Sequence, residues 1–230
     1  MENITIISIE GNIGSGKSTL LTHLKLWAKE ECYNNIYFAL EPVDDWSKIS
    51  DKNGETVLSK FYKDQEKYAF SFQMMAFITR YNKIKMLIDE ILSKNKTNDK
   101  HIIITERCLY TDKYVFAKML YHDKKIDEVN FKIYNSWFHT FAKELPISKI
   151  IYINTPFKIC DERIKSRNRD GESGIPIEYL ERCEKYHLKM IEKMLSENKV
   201  KYHSINGKED INNYKVLETW LNEIKNFIKI

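Results

Sequence analysis

Five short β-branched runs punctuate the chain: Ile4–Glu10, Ile36–Leu40, His101–Glu106, Lys149–Asn154 and Lys201–Ile205. Continuous apolar runs suit strands covered on both faces. Each run is followed by helix-like sequence, for example Lys17–Glu31, Asp64–Ser93, Asp127–Glu144, Ile177–Ser196 and Asn212–Ile228. The alternation predicts right-handed β-α-β crossovers and an α/β fold: a five-stranded parallel sheet flanked by helices. In such sheets ligands gather at the carboxyl ends of the strands, so the residues just after each run are where chemistry is expected. No internal repeat and no Gly-, Ser- or Pro-rich linker interrupts residues 1–230, which read as a single domain.

Composition narrows the picture only modestly. At 230 residues, with 43% hydrophobic and 30% charged positions, the chain is long enough for a sizeable core and ordinary for a soluble protein. A net charge of +4 suits an anionic small molecule as well as nucleic acid, and no Lys/Arg block stands out as a binding arm. Neither a nucleic-acid nor a membrane partner is expected. Cys32, Cys108, Cys160 and Cys183 are widely spaced and form no C-x-x-C, so neither a zinc site nor a disulfide framework is suggested. A reducing compartment is the default. With no signal-peptide start and no run long enough to span a bilayer, a cytoplasmic location is expected.

The first predicted strand runs into "GNIGSGKST", which fits G-x-x-x-x-G-K-[ST] with Gly11, Gly16, Lys17 and Ser18 in register. Glycines let the backbone N–H groups converge on phosphate oxygens, the lysine adds a point charge, and the Ser18 hydroxyl can reach Mg²⁺. A helix opening here adds its positive dipole end. The motif implies a nucleoside triphosphate without naming the reaction.

Strand two ends in "LEPVDDW", which places Glu41 near that loop, with Pro42 stopping the strand. Such a carboxylate can deprotonate a hydroxyl or ligate a metal; a solvated loop glutamate is the competing reading. Strand three ends in Glu106 and Arg107, where an acid can hold Mg²⁺ and an arginine can steady a reacting oxygen, or the two form a structural ion pair. Arg163 and Arg167 lie four apart on a helix, and Arg169 follows as the helix gives way to "DGESG". Guanidiniums suit a transferring phosphoryl group, and the loop predicts an arginine-rich lid over about residues 163–175; a solvent-exposed basic helix end is the alternative. One further stretch, "SFQMMAFITRY", sets Gln73 and Arg80 seven residues apart on one face of an otherwise apolar helix, a face either solvated or pointed at a ligand.

"EGNIGSGKST", "LEPVDDW", "FSFQMMAFITR", "TERCLYTDKY", "RIKSRNRDGESGIPIEYLE" and "INGKEDI" occur in the order seen in cellular deoxynucleoside kinases. Over Ile4 to about Ile211 the chain most resembles their deoxycytidine/deoxyguanosine kinase branch. The resemblance implies a P-loop kinase fold and transfer of a phosphate from Mg²⁺–ATP, or another nucleoside triphosphate, to a deoxynucleoside 5′-hydroxyl. It assigns the donor phosphates to Gly11, Asn12, Ile13, Gly14, Ser15, Gly16, Lys17, Ser18 and Thr19, and to lid arginines Arg163, Arg167 and Arg169. Glu209, Asp210 and Ile211 match the loop near the donor base. Glu41 matches the base that takes the 5′-hydroxyl proton; Glu106 matches an acid near Mg²⁺ that is sometimes given that role instead, and Arg107 would hold the 5′-oxygen and Glu41.

By the same resemblance Tyr62 and Glu172 bind the sugar 3′-hydroxyl, and Gln73 reads the acceptor base within a slot of Trp46, Phe72 and Phe116. Arg80 paired with Asp112, beside small Ala76, marks preference for deoxycytidine and purine deoxynucleosides over thymidine, with no effect on chemistry required. The family is commonly dimeric, and Phe131–Phe141 is the helix expected either to serve that role or to lie in the core. Two departures stand out: Cys108 replaces the usual serine after Glu-Arg, and Ile211 replaces an aromatic residue, so donors other than ATP are expected to be accepted. A nucleoside monophosphate kinase and a non-kinase P-loop NTPase remain as alternatives.

Overall fold

The computed structural model describes residues 3–94, 99–167, 174–198 and 200–228, residue 198 through its backbone alone. Five strands, β1 (Ile4–Glu10), β2 (Ile36–Ala39), β3 (His101–Glu106), β4 (Ile147–Asn154) and β5 (Lys201–Asn206), form one parallel sheet in the order β2-β3-β1-β4-β5. β1 is central, which puts the glycine-rich loop at the middle of the carboxyl edge.

The helices are α1 (Lys17–Glu30), α2 (Val43–Ser47), α3 (Val57–Lys63), α4 (Gln65–Lys94), α5 (Leu109–Thr111), α6 (Lys118–His122), α7 (Glu128–Phe141), α8 (Phe157–Arg167), α9 (Ile177–Asn198) and α10 (Tyr214–Ile228). A π-helical turn, Asp112–Ala117, joins α5 to α6. Strand side chains alternate between two cores. Ile6, Ile103, Ile150 and Tyr152 meet Phe77 and Ile84 of α4, Phe138 of α7 and Met190 of α9. Ile7, Ile9, Ile104, Ile151 and Ile153 meet Leu20 and Leu24 of α1 and Trp220 and Ile224 of α10.

The five strands and the helices behind them lie where the hydrophobic pattern puts them, with shifts at the ends. β2 closes at Ala39, before Leu40 and three residues short of Pro42, so the proline is not what stops it. β4 begins earlier, at Ile147. Asp127–Glu144 resolves into α7 followed by a 3₁₀ turn at Ala142–Glu144. Helices α2, α3, α5 and α6 are additions: α2 and α3, at seven residues or fewer, are too short to display a helical period, and the π-helical turn between α5 and α6 breaks the 3.6-residue repeat. α3 and α7 start at side-chain caps that are plain in the sequence: Thr56 accepts from the Ser59 N–H, and Asp127 from the Asn130 N–H. Among the described residues no helix is long and apolar enough to cross a membrane.

Candidate active site

The chain leaves β1 through three left-handed glycines, Gly11 (φ 149°), Gly14 (φ 79°) and Gly16 (φ 100°). A Cβ on Gly11 would sit 2.6 Å from Ser15 Oγ, so the curl requires glycine there. Gly16 caps α1, whose first residue is Lys17. The Lys17 ammonium donates to the Asn12 carbonyl at 2.7 Å and lies 3.5 Å from Ser15 Oγ. Burial, with Arg107 adding to it, brings its pKa down to about 8. Asn12 secures the loop from behind, its amide donating to the Leu180 carbonyl of α9 at 2.8 Å.

Glu106 ends β3 beside this loop, and Ser18 Oγ donates to its Oε1 at 2.8 Å. Two hard oxygens side by side at the phosphate loop fit Mg²⁺, which takes one or two protein oxygens and completes its shell with phosphates and water. Among the described residues no group of three His, Cys, Asp or Glu side chains forms a dedicated metal cage.

Behind these groups sits a clamp built from three elements. Glu41, just past β2, accepts at one oxygen from Arg107 Nη1 (2.9 Å) and Arg80 Nη2 (3.1 Å). Arg80, from α4, also donates to Asp112 Oδ2 at 2.9 Å and to the Glu106 carbonyl at 2.6 Å. Burial pushes the Glu41 carboxyl up, but Arg107, Arg80 and Lys17 outweigh it and hold it at about 2. Arg107 has a left-handed backbone (φ 62°), reaches the Gly11 carbonyl at 3.4 Å and lies 5.1 Å from the Phe116 ring centre. Its Nε is buried with no hydrogen-bond partner among the described residues.

The clamp closes one end of an aromatic slot. Phe72 stacks on Phe61 (centroids 4.6 Å apart) and meets Trp46 edge-on (5.4 Å). Trp46 is itself fixed by a bond from its indole N–H to Thr79 Oγ1 at 2.9 Å. Gln73, Ala76 and Arg80 share the inner face of α4 and are buried, so the solvated reading of that face is wrong. Gln73 Oε1 has no hydrogen-bond partner among the described residues and lines the slot, ready for a polar ring edge.

All of this opens into one cleft of roughly 690 Å³ that runs from the slot to the phosphate loop. Tyr62 and Phe116 line it on the slot side. Arg163, Arg167, Asp210 and Ile211 line it on the loop side, with Lys208 and Asn212 beside them. Arg163 donates to the Glu209 carbonyl at 2.8 Å and comes within 3.5 Å of the Ser15 carbonyl, so Glu209 reaches the site through its backbone. Ile211 is buried in the α1/α10 core. Of the expected lid, Arg163 and Arg167 lie on α8; Arg169 and Glu172 lie outside the described residues.

Sequence reasoning missed three things here. One is the direct bond from Arg80 to Glu41, which joins the aromatic slot to the clamp. A second is the Phe61 and Tyr179 share of the cleft wall. The third is Glu10, a charged residue ending an apolar strand, which accepts from Ser8 and Thr111 beneath the clamp. The signal was its polarity in a strand buried on both faces.

The sequence model of the family described as deoxynucleoside kinase matches residues 7–229. The chain is 39% identical over 212 residues to a protein named probable deoxycytidine kinase from fowlpox virus, covering 89% of this chain and 79% of that one. It is 34% identical over 197 residues to human deoxycytidine kinase, covering 79% and 73% respectively. A mitochondrial deoxyguanosine kinase of Xenopus laevis is 29% identical over 207 residues, covering 83% and 74%.

Proposed function

This chain belongs to the deoxynucleoside kinase family, and from that membership we propose that it moves the terminal phosphate of Mg²⁺–ATP, or another nucleoside triphosphate, to the 5′-hydroxyl of a deoxynucleoside, in nucleotide salvage. We propose deoxycytidine and the purine deoxynucleosides as acceptors, in preference to thymidine. One observation carries the reading: a single cleft holds the phosphate loop at one end, an amide-ended aromatic slot at the other, and a carboxylate between two guanidiniums in the middle.

In this reading Lys17 and the loop N–H groups hold the donor phosphates. Ser18 and Glu106 would hold Mg²⁺, which would supply positive charge against the phosphate oxygens. Arg107 holds the 5′-oxygen in line. That oxygen bonds to the γ-phosphorus as the bond to the β-γ bridging oxygen breaks; Glu41 takes the hydroxyl proton and ADP leaves. A carboxylate held near pKa 2 is a weak base, so it receives the proton as the oxygen becomes acidic rather than abstracting it beforehand. Its larger contribution is to orient the nucleophile. Arg163 and Arg167 balance charge on the transferring group, and Arg169 joins them by resemblance. Tyr62 and Glu172 take the 3′-hydroxyl.

Gln73 offers a donor and an acceptor side by side, the pattern that matches cytosine and adenine. Arg80, fixed by Asp112, leaves a polar slot wall that a 5-methyl group meets unfavourably. The deciding experiment is a coupled ADP-release assay with Mg²⁺–ATP and each of the four deoxynucleosides, beside their monophosphates. Turnover on deoxycytidine or the purines with little on thymidine is expected. Activity on monophosphates alone, or hydrolysis independent of acceptor, overturns the proposal.

A further inference from the structure

Glu10 is the last residue of β1, one before the phosphate loop, and its side chain is wholly buried outside the cleft wall. Its Oε1 accepts two hydroxyls, Ser8 Oγ at 2.5 Å and Thr111 Oγ1 at 2.7 Å. Its Oε2 has no hydrogen-bond partner among the described residues. Burial raises its pKa, while the Ser8 and Thr111 donors and the Arg107 charge pull the other way. A carboxyl this deep is costly to bury, and no step assigned above uses it.

What Glu10 holds is the chain that follows Arg107. The Arg107 N–H donates to the Ile9 carbonyl at 3.0 Å, and the backbone there turns left-handed. The next residue, Cys108, opens α5 with its N–H and its thiol each 3.5 Å from Thr111 Oγ1. The Thr111 hydroxyl then donates to Glu10. The turn carrying Arg107 is thus tied on both sides to the strand whose end becomes the phosphate loop. A left-handed non-glycine residue persists only where its surroundings over-determine it.

We propose that Glu10, acting through Thr111, is a positioning residue for Arg107, holding its turn so that one guanidinium meets Glu41 and the Gly11 carbonyl together. This rests on the role proposed above for Arg107.

The test compares Thr111→Val, which keeps the shape and loses the hydroxyl, with Thr111→Ser, Glu10→Ala, the Glu10→Ala/Thr111→Val double variant and Arg107→Met. Each is measured for kcat, nucleoside KM, ATP Kd and Tm. Thr111→Val is expected to lower kcat by about tenfold or more, because a displaced guanidinium no longer holds the 5′-oxygen, with ATP Kd within about twofold of the wild type. Thr111→Ser is expected to restore kcat to within about threefold, and the double variant to lose little more than either single one. If Glu10→Ala does not fold, the Thr111 pair decides alone. A Thr111→Val enzyme with lowered Tm and wild-type kcat makes the contact merely structural and overturns the proposal. If Arg107→Met also keeps wild-type kcat, the role of Arg107 falls and this inference falls with it. An impaired Arg107→Met beside an intact Thr111→Val refutes the inference alone.

Discussion

Glu41 gives one oxygen to two buried guanidiniums, so its charge is compensated before any substrate arrives. Replacing it by glutamine removes the proposed proton acceptor but leaves the phosphate loop alone. Glu41→Gln is expected to cut kcat by about 10²- to 10⁴-fold, the usual span for a general base. ATP affinity, read by calorimetry, is expected to stay close to that of the wild type; normal turnover would refute the assigned role. Lys17 makes a pH prediction of its own. Its pKa is lowered to about 8, so the charged form dominates below that pH and is lost as pH rises through it. The profile of kcat/KM for ATP, which reports the free enzyme, is therefore expected to fall on the alkaline side near pH 8. In Lys17→Arg that alkaline fall is expected to disappear, because arginine does not titrate there.

Helix α4 is where the sequence said most and where it also misled. Gln73 and Arg80 on one apolar face were legible as a question, because polar groups at helical spacing on a greasy helix need a partner. The Arg80–Asp112 pair also stands where the resemblance put it. What no spacing could show is that Arg80 reaches Glu41, 39 residues away, because that contact exists only once β2 and α4 are brought together. Under the proposed function this bond couples base choice to chemistry at Arg80, two things the sequence reading kept apart. Arg80→Met with Asp112→Ala is expected to raise thymidine relative to deoxycytidine and, at the same time, to lower kcat for deoxycytidine; no gain for thymidine sinks the account of base recognition. Stability has its own signature. Arg80→Met alone strands a buried carboxylate at a cost of about 3–5 kcal/mol, and the double variant is expected to lose less than the two single ones summed, by urea denaturation.

Across the whole molecule, the sheet was legible because its inner strands, buried on both faces, write apolar runs. The short α2 and α3 were not, since they span too few residues to show a period, and in the continuous helical run 109–122 the π-helical turn breaks the 3.6-residue repeat. That turn carries Asp112 and Phe116 into the cleft, so an element invisible to periodicity supplies two of its walls. On the outside, α7 buries Tyr134 and Phe138 but exposes Val129 (67%), Ile133 (41%) and Trp137 (42%) at a spacing of four. The helix is thus both core and a candidate surface for a second copy, with exposed Ile78 and Met86 on neighbouring α4. A homodimer through this face is expected in sedimentation, and Trp137→Glu is expected to yield monomer. A wild-type enzyme that sediments only as monomer removes the dimer.

The left-handed backbone at Arg107 carries a consequence for how this protein can vary. Its conformation favours glycine or asparagine and costs other residues about 1–3 kcal/mol, whereas the clamp needs a guanidinium. Backbone conformation and the role proposed for Arg107 therefore ask for different amino acids at one codon. A library randomised there and sorted for soluble yield should drift toward glycine and asparagine; sorted for turnover, it should return to arginine. Under the proposed role the chain accepts backbone strain at this position to keep its chemistry, and substitutions that restore the margin should arise elsewhere in the fold.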